Sequence, residues 1–486
     1  MPQLRDSGTR SLHATEPVPS AEMDGFCRIF GVETEYGVAV TGAERPVDAG
    51  QVAMTMFQPI VSRSRSTNTY LANGSRLYLD VGSHPEYATA EARDPREALA
   101  QDLAGEHVMR NLALKAQRKL RESYGAHATI HVFKNNVDSA GHAFGCHENY
   151  LVRRFVPLET IEHQLLPFLI TRQLYTGAGR MTPDGFQITQ RADFLDEAVS
   201  SATTRSRPMV NTRDEPHADP DSFRRLHVII GDSNRSQWST WMKLAVTHLV
   251  LCAIEDAFRH GVPSGFEQYA FADPAAANRT VSRFLDNPRA ELTLESGESV
   301  SALGLQRRYY AAVKAFIETH SDALAGSLPA TTIDTIMGEW SRVLDALERG
   351  AYDALADRVD WAAKKRLFDA LKRRRPDVTF AQMEQLELDY HDIANGRLYG
   401  SLVARNQMRE LLTGDNVEYA VHNPPTDTRA ALRGRFVDAA LNVGAQFSAD
   451  WTHLTLTAPE RREAILLDPF EAEPTLGFEQ LMEALN

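Results

Sequence analysis

Cysteine is scarce in this chain of 486 residues, which contains only Cys27, Cys146 and Cys252. Three thiols are too few for a disulfide framework, and no two of them stand at Cys-x-x-Cys spacing. This scarcity argues against a disulfide-stapled secreted scaffold and against a cysteine-based structural zinc site. A reducing compartment, the cytoplasm, fits this cysteine usage best.

Long apolar runs are also missing. The most apolar stretch, Leu244 to Ile254, is about eleven residues long and is interrupted by His248, whereas a helix needs roughly 20 apolar residues to cross a bilayer. We therefore predict no membrane span. Residues 1–25 are rich in Ser, Thr, Pro and charge but contain no apolar segment of the secretory type, and we predict that they form a disordered leader.

Positive charge is in deficit, because 52 Lys and Arg stand against 65 Asp and Glu, for a formal net charge of −13. This balance argues against a protein that coats nucleic acid or anionic membrane through a general basic surface. An acidic partner is expected to bind only at a local basic patch. One candidate is the cluster formed by Lys364–Arg366 and Lys372–Arg375 on a predicted helix. The alternative is that these cations lie on a solvated helix face.

Several well-known nucleotide and hydrolase motifs are absent. The sequence contains no Gly-x-x-x-x-Gly-Lys-Ser/Thr loop, no Gly-x-Gly-x-x-Gly between a strand and a helix, no His-Glu-x-x-His and no Gly-x-Ser-x-Gly. Any nucleotide site is therefore of neither the Walker nor the Rossmann type.

The pattern of elements that is present predicts an α+β protein. A helix is predicted from Trp238 to Arg259, before Gly261, and helices dominate beyond Leu303, with at least two over residues 334–375. Strand signals cover residues 26–40, 71–90, 129–133, 150–155 and 226–230. We predict a large domain over residues 26–415 and a small C-terminal domain over residues 416–486.

The first cluster of chemically active residues is Gly31-Val-Glu-Thr-Glu-Tyr-Gly37. On a strand, Glu33 and Glu35 would face the same side, roughly 7 Å apart. Two interpretations stay open: a solvated strand face, or a pair of oxygen ligands for Mg²⁺, which binds carboxylates together with phosphate oxygens.

A second cluster begins at Asn73 and alternates cleanly along the strand pattern. Arg76, Tyr78 and Asp80 share one face, and the opposite face is apolar. A cation, a possible metal ligand and a potential general base on one rigid strand suit phosphoryl transfer. The alternative is an amphipathic strand whose polar face is exposed to solvent. Pro85 interrupts the alternation, so the facing of Glu86 and Thr89 does not follow from counting.

Two further clusters add histidines and arginines. His147 and Asn149 would share a strand face, with Glu148 opposite, although a lone histidine such as His147 is more often a hydrogen-bonded core residue. The arginine-rich segment over residues 203–227 contains Arg205, Arg213 and His227. Arginine suits phosphate or carboxylate, and the alternative is a surface charge run.

These clusters, in this order, resemble the Pup-protein ligase family, which belongs with the glutamine synthetase superfamily. The similarity runs from Arg28 to about Phe470, and its strongest segments are GVETEYGV, NGSRLYLDVGSHPEYATAE, FKNNVDS, GCHENY, SSATTRSRP, NTRDEPHAD and RRLHVIIGD. The resemblance implies a glutamine synthetase-like large domain, with a curved, mainly antiparallel sheet backed by helices. It also implies ATP and Mg²⁺ as cofactors, with Pup and lysine-bearing target proteins as partners.

The resemblance also implies roles for individual residues. Asp80 matches the catalytic base. Metal-site positions match Glu33, Tyr78 and Glu86, with Glu35, His147 and His227 as further candidates in matching motifs. ATP-contacting positions match Arg76, Thr89 and Trp451, with Arg205 and Arg213 as further candidates.

The implied reaction has two steps. The γ-carboxylate of the C-terminal glutamate of Pup attacks the γ-phosphate of ATP, and a target lysine then attacks the resulting acyl phosphate to form an isopeptide bond. The sister enzyme that deamidates Pup and removes it from targets is the alternative. That family carries a long insertion where this chain has only about 35 residues between Gly37 and Asn73.

Two other hypotheses compete with this reaction. A Pup-binding module without turnover would be expected to lack metal or base residues, yet Glu33, Tyr78, Asp80 and Glu86 are all present. A ligase that joins glutamate to a small amine would have no need of a protein-binding surface.

Overall fold

The computed structural model describes residues 25–80, 84–138, 141–200, 207–458 and 460–485. Of the predicted leader, all but Gly25 lies outside these ranges. Among the described helices, none is both long and apolar enough to cross a membrane.

The central feature is an eight-stranded sheet in the order β10-β11-β12-β7-β1-β5-β4-β3. Its pairs are antiparallel except for β10 with β11. The predicted α+β class with a mainly antiparallel sheet is therefore confirmed. The strands of this sheet are β1 (Phe30–Glu35), β3 (Asn68–Tyr70), β4 (Arg76–Leu79), β5 (Pro85–Ala88), β7 (Cys146–Arg153), β10 (Glu197–Ser200), β11 (Pro208–Asn211) and β12 (Phe223–Val228).

Short strands lie outside the large sheet and form a three-stranded sheet and three ribbons. They are β2 (Gly37–Thr41), β6 (Thr129–Phe133), β8 (Arg180–Thr182), β9 (Gly185–Gln187), β13 (Glu291–Thr293), β14 (Ser299–Ser301), β15 (Gln446–Ala449), β16 (His453–Ala458) and β17 (Arg462–Ile465).

Helices bury one face of the large sheet. They are α1 (Ala49–Ser64), α2 (Pro95–Tyr124), α3 (Leu158–Thr171), α4 (Gln173–Thr176), α5 (Gln237–His260), α6 (Pro274–Ser282), α7 (Ala302–Leu324), α8 (Ala330–Glu348), α9 (Asp360–Arg374), α10 (Phe380–His391), α11 (Leu398–Ala404), α12 (Gly414–His422), α13 (Ala430–Val443) and α14 (Leu476–Glu483). Short 3₁₀ turns cover Ala192–Phe194 and Tyr352–Leu355.

Helix α5 lies at the centre of the main core and is buried over most of its length. It ends where Gly261 takes a left-handed conformation with φ of 63°, as the sequence predicts. The two helices predicted over residues 334–375 are confirmed as α8 and α9. The single strand signal over residues 71–90 was wrong in part, because the chain forms two antiparallel strands, β4 and β5, on either side of a turn.

The C-terminal elements α13, α14 and β15–β17 surround an apolar cluster of their own, which Tyr70 of the large sheet joins. Helix α12 begins at Gly414, so the predicted boundary between residues 415 and 416 falls inside its first turn. That boundary stays a prediction.

The predicted basic cluster is wrong for one member. Lys364 is buried, and its Nζ lies 3.1 Å from Glu387 Oε1 and 2.9 Å from His391 Nε2. Helix α10 supplies both partners, so this lysine stabilises helix packing. Lys372–Arg375 are exposed at the end of α9.

Candidate active site

The open face of the large sheet carries a cavity of about 340 Å³. Strand β1 supplies its floor, because Phe30, Val32 and Thr34 point into the core while Glu33 and Glu35 point into the cavity. The predicted shared face of the two glutamates is confirmed. They are therefore not part of a freely solvated strand.

Three carboxylates meet at one end of this floor. Glu86 on β5 pairs with Glu35 on β1 and with Tyr78 on β4, and Asp80 follows directly after β4. One carboxylate oxygen from each of Glu35, Asp80 and Glu86 lies within 4.8 Å of the others. Counting did not predict the facing of Glu86, because the turn before Pro85 resets the alternation. Register across the strands brings it into the site.

A second group consists of Glu33, His147 and His227, whose ligand atoms also lie within 4.8 Å of one another. His147 is opposite Glu33 in the sheet register, with its Nδ1 at 3.3 Å from Glu33 Oε2. The ring centroids of the two histidines are 4.7 Å apart. His147 thus faces the cavity, while Glu148 points into the core and pairs with Arg172 at 2.6 Å, as the alternation of β7 predicts.

Space between the two groups depends on a glycine. A Cβ at Gly145 would lie 2.7 Å from both Glu35 Oε1 and His147 Nε2. Since real Cβ atoms do not approach so closely, any side chain here would displace a carboxylate or an imidazole.

The cavity perturbs its own titratable groups. Burial and the negative charges of Glu33 and Glu35 raise the pKa of Glu86 well above its ordinary value. Burial opposes ionisation of Glu33, but the hydrogen bond with His147 and the nearby cationic groups hold its pKa far below the usual range. Burial and nearby positive charge lower the pKa of His227 to about 3, so this imidazole is neutral and has a lone pair to offer.

Tyr78 stays protonated, because burial and the charges of Glu33 and Glu86 raise the pKa of its phenol. The Arg76 guanidinium lies 4.2 Å from the centre of the Tyr78 ring and donates to Asn68 Oδ1 at 2.8 Å. Both residues line the cavity, which confirms that they share a face.

A cluster of carboxylate oxygens such as that of Glu35, Asp80 and Glu86 suits Mg²⁺, a hard cation that prefers oxygen ligands. Burial and then the charges of Glu33 and Glu35 raise the pKa of Glu86, and a divalent cation would offset both effects.

The remaining predicted residues lie around the rim. Thr89 lines the cavity, and its hydroxyl accepts a hydrogen bond from the Val32 amide at 3.0 Å. Trp451 and Arg213 also line the cavity. The Trp451 ring lies 4.9 Å from the Arg433 guanidinium and edge-on to Tyr70. Arg205 lies outside the described residues.

Sequence reasoning assigned no role to two groups of cavity residues, although Arg225 lies in the predicted arginine-rich segment. Arg225 donates to Asn149 Oδ1 at 2.9 Å and lies 3.5 Å from Glu33 Oε1. Its position two residues before His227 on the same strand was an available signal. Glu91 and Arg429 also line the cavity and pair with each other at 2.8 Å. No local pattern indicated that Arg429, from the C-terminal segment, would reach the sheet.

The fold is α+β, and its antiparallel sheet carries clustered carboxylates and histidines below an aromatic side chain. This arrangement is typical of enzymes whose polar active site lies on the open face of a β-sheet. Comparison with known proteins narrows this class. The family model described as "Pup-ligase protein" matches residues 28–455. The chain belongs to the Pup-ligase family.

Relatives and solved structures agree with this assignment. A Pup–protein ligase of Bifidobacterium longum is 98% identical over 486 residues and covers 100% of both chains. One from Saccharomonospora viridis is 43% identical over 453 residues, covering 92% of this chain and 97% of its own. The crystal structure of Pup with its ligase PafA matches with a TM-score of 0.85 and 36% identity, over 96% of this chain and 92% of that one. PafA in complex with ADP matches with a TM-score of 0.79 and 36% identity, over 92% and 97% of the two chains.

Proposed function

We propose that this chain is an ATP- and Mg²⁺-dependent ligase that joins the C-terminal glutamate of Pup to lysine side chains of target proteins. The observation that carries the proposal is the meeting of Glu35, Asp80 and Glu86 within 4.8 Å on the floor of an open cavity. The substrates are inferred from family membership, and the chemical roles of the residues are inferred from the geometry of the site.

Metal binding is assigned to the residues of the two groups on the sheet other than Asp80, together with Tyr78. We infer that Glu33, Glu35, Tyr78, Glu86, His147 and His227 hold Mg²⁺. When bound, this ion would offset the charge of the ATP phosphates.

Activation of Pup requires two anions, a carboxylate and a triphosphate, to approach each other. Arg76 and Arg213 line the cavity and offer positive charge and hydrogen-bond donors to the phosphates. Thr89 and Trp451 are the other nucleotide contacts that we propose, and we assign Arg205 to the same role from its motif. The γ-carboxylate of Pup then attacks the γ-phosphate, and ADP leaves.

Transfer to lysine requires a base, because the lysine ammonium has a reference pKa of about 10.4 and is no nucleophile while protonated. Asp80 is exposed at the end of β4, where a large incoming substrate can reach it. We propose that Asp80 accepts the proton as the amine attacks the acyl phosphate. An isopeptide bond forms and phosphate is released.

The deamidase alternative has the same base and carboxylates, so the site geometry does not separate the two. The segment between β2 and β3 favours the ligase, because it holds α1 and no further helix or strand among the described residues. We place the reaction in the cytoplasm, a location that accords with three cysteines that are free and buried.

A ligation assay tests the proposal directly. Purified protein with ATP, Mg²⁺ and Pup ending in glutamate is expected to form a covalent adduct with a lysine-bearing target. Asp80→Asn should abolish the adduct, because the amide accepts no proton. Asp377→Asn is the matched control, since Asp377 is exposed and does not line the cavity. Release of Pup from a conjugate without ligation would refute the assignment.

A further inference from the structure

His217 lies in the loop between β11 and β12 and has an unusual backbone. Four described non-glycine residues have positive φ: Phe26, Arg65, Asn406 and His217, the last at 49°. Of these, His217 alone lines the active-site cavity. Side chains rarely adopt this left-handed conformation, and where they do, the surrounding structure holds them there. The loop therefore holds the imidazole at the cavity.

The imidazole of His217 is not engaged by the protein. Among the described residues it forms neither a hydrogen bond nor an ion pair, and its ring lies against the Trp451 ring. The two ring centroids are 6.3 Å apart and their planes are inclined by 41°. A polar ring, half-buried and unpartnered, is thus placed beside the indole at the rim of the cavity.

The surroundings of the His217 ring favour its neutral form. Burial, with the positive charges of Arg225 and Arg429, lowers the pKa of His217 to about 4. The ring is therefore neutral near pH 7, with one nitrogen that donates and one that accepts a hydrogen bond. Such a group suits an uncharged, planar ligand with both donors and acceptors on its edge. It does not suit a phosphate, which prefers a cation.

We propose that His217 is a nucleotide-binding residue, which hydrogen-bonds the edge of the nucleobase while the base stacks on Trp451. This inference rests on the proposed function, because it takes ATP to be the nucleotide. The two ends of the nucleotide would be bound by different groups. The carboxylates, through bound Mg²⁺, and the arginines of the sheet would bind the phosphates, whereas His217 and Trp451 would contact the base. Aromatic stacking and one edge hydrogen bond together would orient the base.

The test separates the two ends of the nucleotide. Binding of ATP, ADP and inorganic tripolyphosphate is measured by calorimetry for wild type and for His217→Gly, which tolerates the left-handed backbone. Affinity for ATP and ADP should fall about tenfold in the variant, because one hydrogen bond is lost, while affinity for tripolyphosphate should be unchanged. His422→Ala, at an exposed position away from the cavity, is the control.

Kinetics provide a second readout. The KM for ATP should rise about tenfold in His217→Gly, with kcat at saturating ATP near the wild-type value, as expected when a uniform binding contact is removed. Equal loss for ATP and tripolyphosphate would overturn the inference, since it would show that His217 only shapes the loop. Unchanged affinity for all three ligands would overturn it as well. Failure of the wild type to bind ATP would instead refute the proposed function, and the inference with it.

Discussion

At the scale of single residues, the cavity brings several carboxylates close together in a buried position, where their negative charges are unfavourable. Glu86 lies beside Glu35 and near Glu33, and burial with these charges raises its pKa. A carboxyl group with a raised pKa keeps its proton to a higher pH, and a cation that binds there must displace that proton. Binding of metal and release of a proton are therefore coupled at this position.

The coupling predicts a pH dependence. The pKa of Glu86 in the folded protein lies well above the ordinary carboxyl value of 4.5, so protons compete with Mg²⁺ for this carboxylate at pH values above 4.5. Affinity for Mg²⁺ should therefore rise as the pH increases above 4.5, and calorimetry in buffers of different ionisation enthalpy should detect proton release. In Glu86→Gln, both the proton release and most of the affinity should disappear.

Asp377→Asn again serves as the control for this measurement. Mg²⁺ affinity that does not change with pH in the wild type would contradict the expectation, because it would show that Glu86 is ionised before the ion arrives.

At the scale of elements, a buried ionic cluster joins α13 to the large sheet. Arg429 and Arg433 both pair with Glu91, just beyond β5, and Arg433 also donates to the carbonyl of Gly74 at 3.0 Å. Burial alone would raise the pKa of Glu91, but the two guanidinium groups lower it to about 2. The cluster fixes the C-terminal elements, and with them Trp451, against the cavity.

Removal of this carboxylate should destabilise the protein. The pKa of Glu91 is lower in the folded than in the unfolded chain, so its contribution is complete above about pH 4.5 and is lost as the pH falls towards 2. Glu91→Gln should lower the free energy of unfolding at pH 7 by about 3 kcal/mol, because two buried cations lose their partner. Urea unfolding followed by tryptophan fluorescence measures this change.

An exposed ion pair provides the comparison for Glu91. Glu460 lies 3.0 Å from Arg462 at the surface, and Glu460→Gln should leave the unfolding midpoint unchanged. If both variants behave alike, or if Glu91→Gln loses stability with acid as steeply as the wild type does, the ionic cluster does not hold α13 in place.

The elements also show what sequence reasoning reaches. Alternation along β1 and β4 is a local property, so the shared faces of Glu33 with Glu35 and of Arg76 with Tyr78 were predictable. Which strands lie side by side is not local. The register that places Glu86 beside Glu35 depends on a turn, and the resemblance rather than the pattern indicated that residue.

Lys364 illustrates the opposite error. It belongs to a run of cations on an amphipathic helix, a pattern typical of a solvated face, yet α10 covers it with Glu387 and His391. Charge at a helical position says little about exposure when a partner of opposite charge comes from another helix. Arg429 was missed for a similar reason, because its partner Glu91 is far away in sequence.

At the scale of the whole molecule, the cavity draws on distant parts of the chain. Glu33, His227 and Trp451 all line it. A ligand that touches all of these elements links the large sheet to the C-terminal segment. Binding should therefore stabilise the fold as one unit and not only locally.

Thermal unfolding tests this linkage. ATP with Mg²⁺ at about 100 times its Kd should add about 2.7 kcal/mol to the stability, which for a chain of this size raises Tm by about 3 °C. In Trp451→Ala the rise should be much smaller at the same ATP concentration, because the contact with the C-terminal segment is gone. A full rise in this variant would show that the nucleotide binds to the sheet alone.

The long sequence separation between Glu33 and Trp451 has a consequence during synthesis. A ribosome makes roughly 5–20 residues per second, so the two walls of the cavity emerge on the order of 40 s apart. Throughout that interval the carboxylates of the sheet exist without the indole that completes the rim. A nascent chain is therefore expected to lack the complete cavity until its last strands have emerged.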